Sequence, residues 1–176
     1  QGSYDVNKMQ KIKYTLLSLV LITTTQSCWK YSFTGVSDLK AETFQVNYFQ
    51  NNSALIEPGL ERDFTIALQD LLTNQTSLGL VTSNGDLVYE GEISEYRISP
   101  TTATSDNRAA QNRLTISVQV RFYDKNDPEA ELDQRFSFFY DYPGSSQLVG
   151  SQKTAAHEEI FERITQDIFN ATLAKW

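Results

Sequence analysis

Cysteine is almost absent from this chain, because Cys28 is the only one among 176 residues. A single cysteine excludes an internal disulfide framework and a metal site built from several thiolates. Histidine is equally scarce, since His157 stands alone beside Glu158 and Glu159. General acid–base catalysis relies most often on histidine. We interpret His157 as a solvated residue in the first turn of a helix rather than as part of a catalytic centre.

Sequence motifs of catalysis are also missing. The chain contains no Gly-x-Ser-x-Gly elbow, no glycine-rich phosphate loop and no His-Glu-x-x-His pair. Acidic residues do pair at Asp124 with Asp127 and at Glu129 with Glu131. They lie around Asn126 and Pro128, so a solvated hairpin turn explains them. We therefore expect a protein that is not an enzyme, with no catalytic residue, no bound metal and no cofactor.

Long apolar runs and an excess of positive charge are absent as well. The apolar stretch over residues 14–22 falls short of the roughly 20 residues that a transmembrane helix requires, which argues against an amino-terminal membrane span. Lysine and arginine number 15 against 22 acidic residues, giving a net charge of −7. This balance predicts no nucleic-acid partner. It still allows an anionic ligand, because a few clustered arginines create a local positive field.

What the chain does contain, over residues 9–27, is the pattern of a lipoprotein signal peptide. Lysines follow Met9, an apolar stretch comes next, and small polar residues lead to Cys28. Cleavage before Cys28 would make it the first residue and the site of lipidation, and several acyl chains hold a protein stably at a membrane surface. Residues 1–8 precede Met9, and we expect them to be non-native or the product of a misassigned start.

The rest of the sequence predicts a tether over residues 28–41 and one α+β domain over residues 42–176. Apolar residues at helical spacing predict helices over residues 59–74 and 154–175. Alternation of period two predicts strands over residues 42–49, 78–81, 86–99, 113–123 and 131–142. This order indicates two helices packed on one face of a mostly antiparallel sheet of about four strands. The apolar parity changes between Ile93 and Tyr96, close to Gly91, which predicts a β-bulge.

Arginines mark the polar connection 99–112, which is longer than an ordinary hairpin loop. Arg97 and Arg113 lie at its two ends and Arg108 lies inside it. Because guanidinium forks match phosphate geometry, these three are our candidates for contact with a phosphorylated glycolipid. A solvated loop with incidental charge is the alternative.

Aromatic residues are dense over residues 136–142, and Phe139 falls on the outward parity of its strand. An exposed aromatic side chain among others suggests a partner surface. A covering helix is the alternative interpretation.

Several segments together resemble the LptE family of lipopolysaccharide-assembly lipoproteins, in the form found in the Bacteroidetes. After the signal ending at Cys28, they read YSFTG (31–35), AAQNRLTISVQVRF (109–122), FSFFYDYP (136–143) and ITQDIFN (164–170), with Trp176 at the end. The resemblance implies two helices against a four-stranded sheet. It also implies an outer-membrane lipoprotein that plugs the large translocon barrel LptD, assists its folding, binds lipopolysaccharide and helps deliver it to the outer leaflet.

Three functional classes make different structural predictions. A translocon plug should have a filled core and an extensive interactive outer surface, since a barrel lumen is polar and wet. A self-standing lipid carrier of the envelope should instead have a preformed apolar cavity that holds acyl chains. An envelope hydrolase would need a convergent acid, base or nucleophile cluster in a cleft. The sequence favours the plug.

Overall fold

Two helices cover one face of a six-stranded sheet in this protein, as seen in a computed structural model that describes residues 40–101, 111–144 and 147–174. The predicted signal peptide, Cys28, most of the tether and Arg108 lie outside the described residues. The predicted α+β architecture is confirmed, because the apolar faces of helices and sheet meet in a single core.

The sheet is mixed rather than mostly antiparallel, and it has six strands rather than about four. Its strands are β1 (Thr43–Val46), β2 (Gln50–Asn51), β3 (Gly79–Leu80), β4 (Leu87–Thr101), β5 (Gln111–Asp124) and β6 (Leu132–Pro143). β4, β5 and β6 form an antiparallel meander, whereas β1 pairs in parallel with both β3 and β4, and β2 pairs in parallel with β4. The helix between β2 and β3 carries the chain back to the start of the sheet. β3 and β4 therefore run in the same direction as β1 and β2.

The helices are α1 (Leu60–Gln75) and α2 (Gly150–Thr172), close to the predicted ranges. α1 begins after Gly59, whose φ of 85° is a left-handed conformation that glycine adopts without strain. Each helix buries one apolar stripe against the sheet. The members of the two stripes with no exposed surface are Phe64, Leu68 and Leu72 on α1 and Ala156, Ile160, Ile164 and Ile168 on α2.

Glycine at position 91 lets two parts of the sheet approach closely. A Cβ atom on Gly91 would overlap the carbonyl oxygen of Gln119 on β5 and would lie 2.8 Å from Cε1 of Phe49. The Phe49 ring therefore occupies the space that a side chain at position 91 would need. Phe49 lies in the connection between β1 and β2. These two short strands pair with β4 one after the other, β1 before Phe49 and β2 after it.

The predicted bulge is confirmed in β4, where the pairing register with β5 shifts between Ile93 and Glu95. The shift keeps Ile93 and Tyr96 on the core side of the sheet, where both are buried. It also turns Glu95 to the opposite side, beside Ser117 of β5. One extra residue thus decides which face receives a carboxylate.

The polar connection between β4 and β5 is shorter than the sequence predicted. Pro100 pairs with Asn112 and Thr101 pairs with Gln111, so both strands continue into the predicted loop 99–112. Residues 102–110 lie outside the described residues. Neither of the two described α-helices, α1 and α2, combines the length and the apolar character of a membrane-spanning helix.

Candidate functional site: the open sheet face

The face of the sheet opposite the helices carries polar and charged side chains from three long strands. We call the outward side chains of β4, β5 and β6 the open sheet face. Strict alternation creates it, because every second residue of β5 points into the core and the residues between point outward. Neighbouring strands then bring charges of opposite sign together across the ladder.

Glu95 is the centre of a hydrogen-bonded network on this face. Its carboxylate accepts from Arg97 Nε at 2.7 Å, from Arg135 Nη2 at 2.6 Å and from Ser117 Oγ at 2.8 Å. These donors come from β4, β6 and β5, so one side chain links all three strands. The hydrogen bond from Arg97 is the main reason that the pKa of Glu95 lies below its usual value.

Arg113, Asp141 and Phe139 form a second cluster at the end of the face. Arg113 donates to both carboxylate oxygens of Asp141, at 2.7 Å from Nε and 2.8 Å from Nη2. This bidentate bond lowers the pKa of Asp141. The guanidinium carbon of Arg113 also lies 3.6 Å from the ring centroid of Phe139, a cation–π contact. Phe139 remains 41% exposed, on the side of the sheet away from α1 and α2.

Two of the three candidate arginines therefore lie on the same face. Arg97 and Arg113 belong to neighbouring strands, whereas Arg108 is outside the described residues. Each of the two is already bound by a carboxylate, Glu95 or Asp141, which sequence reasoning missed. The only local sign of these pairings in the sequence was the parity change in β4, which turns Glu95 outward. A role for these arginines in phosphate binding stays a prediction.

Further pairs continue the pattern towards the other end of the face. Gln119 Nε2 donates to Asp133 at 2.6 Å, and Arg121 Nε donates to Glu90 at 3.1 Å. These contacts are partly exposed, so each contributes little to stability alone. Together they order a broad polar surface that offers both donors and acceptors to a partner.

A groove of about 550 Å³ lies between α1 and α2, away from the open sheet face. Its floor includes Ala67, Leu71 and Phe161, but its rim carries carboxylates. The acidic residues of the rim are Asp63, Asp70, Glu158 and Glu162. Because these carboxylates repel phosphate groups, the groove does not suit an anionic glycolipid.

His157 borders this groove and is not the solvated residue that we predicted. It is half-buried, its Nε2 lies 3.2 Å from the Tyr96 hydroxyl, and its ring stacks on Phe161. The prediction for His157 was wrong because Tyr96 lies far from it in the sequence, so no local pattern indicates their contact. Burial is the main cause that lowers the pKa of His157, and burial also raises the pKa of Tyr96 to about 12.

The buried imidazole predicts a loss of stability in mild acid. Below its ordinary pKa of 6.5 the histidine takes up a proton in the unfolded chain but not in the folded one, so the free energy of unfolding falls as pH drops. We expect His157→Gln to flatten the difference between about pH 7.5 and about pH 5.5 in urea unfolding. Tyr96→Phe keeps the imidazole buried and should retain the slope. An unchanged slope in His157→Gln would contradict this assignment.

Catalytic chemistry has no matching geometry in the described ranges. No group of three or more His, Cys, Asp or Glu residues in them is placed to hold a metal ion. The charged groups of the open sheet face are engaged with each other, and they do not converge on a cleft. The arrangement therefore suits binding of another surface.

The fold and the open sheet face define a small α+β domain with a broad polar surface suited to binding. Residues 41–172 match the family model described as LptE, lipopolysaccharide-assembly, and the chain belongs to that family. The LptE family is not a family of enzymes. The family resemblance read from the sequence is thus confirmed; its Bacteroidetes subtype stays a prediction.

Solved structures give the same fold at low sequence identity. A hypothetical protein from Chlamydia trachomatis matches with a TM-score of 0.54 at 12% identity, covering 77% of this chain and 99% of that one. A protein from Xanthomonas campestris matches with a TM-score of 0.50 at 11% identity, covering 76% and 84%. These likenesses concern the fold alone. No curated protein matches this sequence.

Proposed function

We propose that this protein is an outer-membrane lipoprotein subunit of the lipopolysaccharide-export translocon. In this role it is anchored through lipid on Cys28, plugs the lumen of an LptD-type barrel, assists assembly of that barrel and helps to deliver lipopolysaccharide to the outer leaflet. Membership of the LptE family supports the role in lipopolysaccharide assembly. The barrel, the anchor and the outer-membrane location are parts of the proposal.

The observation that carries the plug role is the open sheet face. Its charges are tied in pairs across three strands, so it presents an ordered polar surface without an uncompensated cluster of one sign. A barrel lumen is polar and water-filled, and such a surface fits it without costly desolvation. The opposite side of the sheet is filled by the helices, as a plug requires.

A self-standing lipid carrier is the alternative. It needs an apolar cavity for acyl chains, and the interhelical groove has an acidic rim instead. The phosphate groups of lipopolysaccharide would meet Asp70 and Glu162 there. The groove therefore supports the plug over the carrier.

The test is affinity purification of the tagged full-length protein from detergent-solubilised outer membranes. Photo-crosslinking residues at Thr115 and Gln119 probe the open sheet face, and the same residue at Asp70 on α1 serves as the control. We expect a barrel protein at one-to-one stoichiometry and crosslinks to it from the two sheet positions. Recovery of the lipoprotein alone with bound lipid would support the carrier and contradict the plug.

The proposed lipopolysaccharide contact predicts a gain of binding in Asp141→Asn. The substitution removes one arm of the bidentate pair and leaves Arg113 able to bind phosphate. We expect the purified full-length protein to bind fluorescent lipopolysaccharide about threefold more tightly or better. Asp133→Asn is the matched control, because Asp133 accepts from Gln119 rather than from an arginine. Equal effects from both variants would indicate net charge alone and would contradict a role for Arg113.

A further inference from the structure

Strand β6 forms one edge of the sheet and is unusually long and regular for an edge strand. It pairs with β5 over its whole length from Leu132 to Pro143 with no register shift, whereas β4 and β5 are interrupted by the bulge. The opposite edge ends in β3, which has two residues. Natural proteins shorten, bend or cover edge strands to prevent pairing with other chains. β6 uses neither shortening nor a bulge.

The direction of the β6 backbone groups follows from hydrogen bonds elsewhere in the sheet. Lys125 N donates to the carbonyl of Asp86, so the backbone of Asp86 faces β5. Asn47 N donates to the carbonyl of Tyr89, so the backbone of Tyr89 faces β1. Because successive residues of a strand direct their backbone groups to opposite sides, Glu90 and its partner Arg121 face each other.

The same alternation carries across β5 to β6. Since Arg121 faces β4, Val120 and Val118 face β6, where their partners are Gln134 and Phe136. The residues between these partners on β6 direct their N–H and C=O groups away from the sheet. They are Asp133, Arg135, Ser137, Phe139 and Asp141.

Pro143 supports this assignment independently. It has the same parity as the outward residues, and proline is tolerated in a sheet where its missing N–H would face away from a neighbouring strand. Among the described residues, no hydrogen bond satisfies the outward backbone groups of β6. Five donors and their neighbouring acceptors thus repeat along one edge at strand spacing, an array that matches an extended polypeptide.

A second copy of this chain fits the edge poorly. The symmetric antiparallel register that uses all five donors is centred on Ser137 and places Asp133 opposite Asp141 of the other copy. Like charges opposite each other destabilise a strand pair. The nearest cations already have carboxylate partners within the chain. Arg121, opposite Asp133 on β5, is held by Glu90, Arg113 by Asp141 and Arg135 by Glu95. A different chain with a basic residue beside Asp133 avoids the repulsion.

We infer that the outer edge of β6 is a strand-addition site for an extended segment of the barrel partner. The inference rests on the proposed function, because the partner is the chain in whose lumen the domain sits. The added strand continues the sheet, places a basic side chain beside Asp133 and covers Phe139 with an apolar or aromatic one. Backbone hydrogen bonds provide the affinity, and these two positions provide the specificity.

The test compares Ser137→Pro with Ser137→Ala in the tagged full-length lipoprotein. Proline removes one outward N–H and places its ring where the incoming strand would lie, without touching the bonds to β5. We expect Ser137→Pro to reduce recovery of the barrel about tenfold, whereas Ser137→Ala recovers it normally. Normal recovery of the barrel with a folded Ser137→Pro protein overturns the strand-addition inference but does not contradict the proposed plug function. Absence of a barrel with the wild-type protein overturns the proposed function itself.

Amide hydrogen exchange gives a second readout that does not depend on the variant folding. In the wild-type complex, the amides of Arg135, Ser137 and Phe139 should exchange about tenfold more slowly than in the free lipoprotein. The amides of Phe136 and Phe138 already face β5 and should change little. Equal exchange at the outward amides in both states overturns the inference.

Discussion

Replacement of Phe64 by alanine should lower the free energy of unfolding by about 3–5 kcal/mol, the usual range for a fully buried phenylalanine. Phe64 is completely buried on α1. Its ring meets Phe49 edge-on at a centroid distance of 5.1 Å and Phe161 at 5.4 Å. The three rings join the β1–β2 connection to both helices. Truncation leaves a cavity where three elements meet, which the rigid sheet cannot fill.

Urea unfolding of the purified full-length protein measures this loss. Ile66→Ala is the matched control, since Ile66 lies on the same helix but is 45% exposed, and it should change stability by less than about 1 kcal/mol. Similar losses in both variants would mean that the aromatic cluster contributes no more to the free energy of unfolding than an exposed side chain of α1. The contrast therefore tests the packing of α1 against α2.

Gly91→Ala should destabilise the protein by about 3 kcal/mol, although it adds a single methyl group. The new Cβ would overlap the backbone carbonyl of Gln119 and press against the Phe49 ring. A flexible side chain could move aside, but the carbonyl of a central strand is fixed by its neighbours. Either the β4–β5 pair separates or Phe49 leaves the core, and both outcomes reduce burial.

Gly79→Ala provides the control for this prediction. Gly79 also lies in a strand, but a Cβ there would be 3.9 Å from its nearest neighbours, an ordinary contact. We expect a change within about 0.5 kcal/mol. Thermal unfolding of the two variants side by side separates close approach from the general cost of altering a strand glycine. Wild-type stability in Gly91→Ala would show that the strands can move apart freely.

Gly91 also helps to keep the charged side chains of the open sheet face in register. Gly91 lies opposite Val120, a few residues before the bulge that turns Glu95 outward. A displacement there would shift the carboxylate away from Arg135 on β6. Core packing on one side of the sheet thus determines charge pairing on the other. We expect Gly91→Ala to weaken partner recovery as well as stability.

The sequence alone determined the elements whose patterns are local. The alternation in β4, β5 and β6 and the apolar stripes of α1 and α2 follow from burial on one side, which a period of two or 3.6 residues records directly. The bulge was visible as a change of parity. The family, which the comparison confirmed, was evident from short segments, and the lipidation of Cys28 rests on the sequence pattern alone.

Only the tertiary structure decided which distant groups meet. β1 lies between β3 and β4, Phe49 fills the space over Gly91, and Asp141 binds Arg113, although no local pattern specifies any of these pairings. Strand order also left β6 at the edge, where no other described residue bonds to its outward amides. Local periodicity reports which face of an element is buried, whereas neighbours are chosen by the free energy of the whole packed domain.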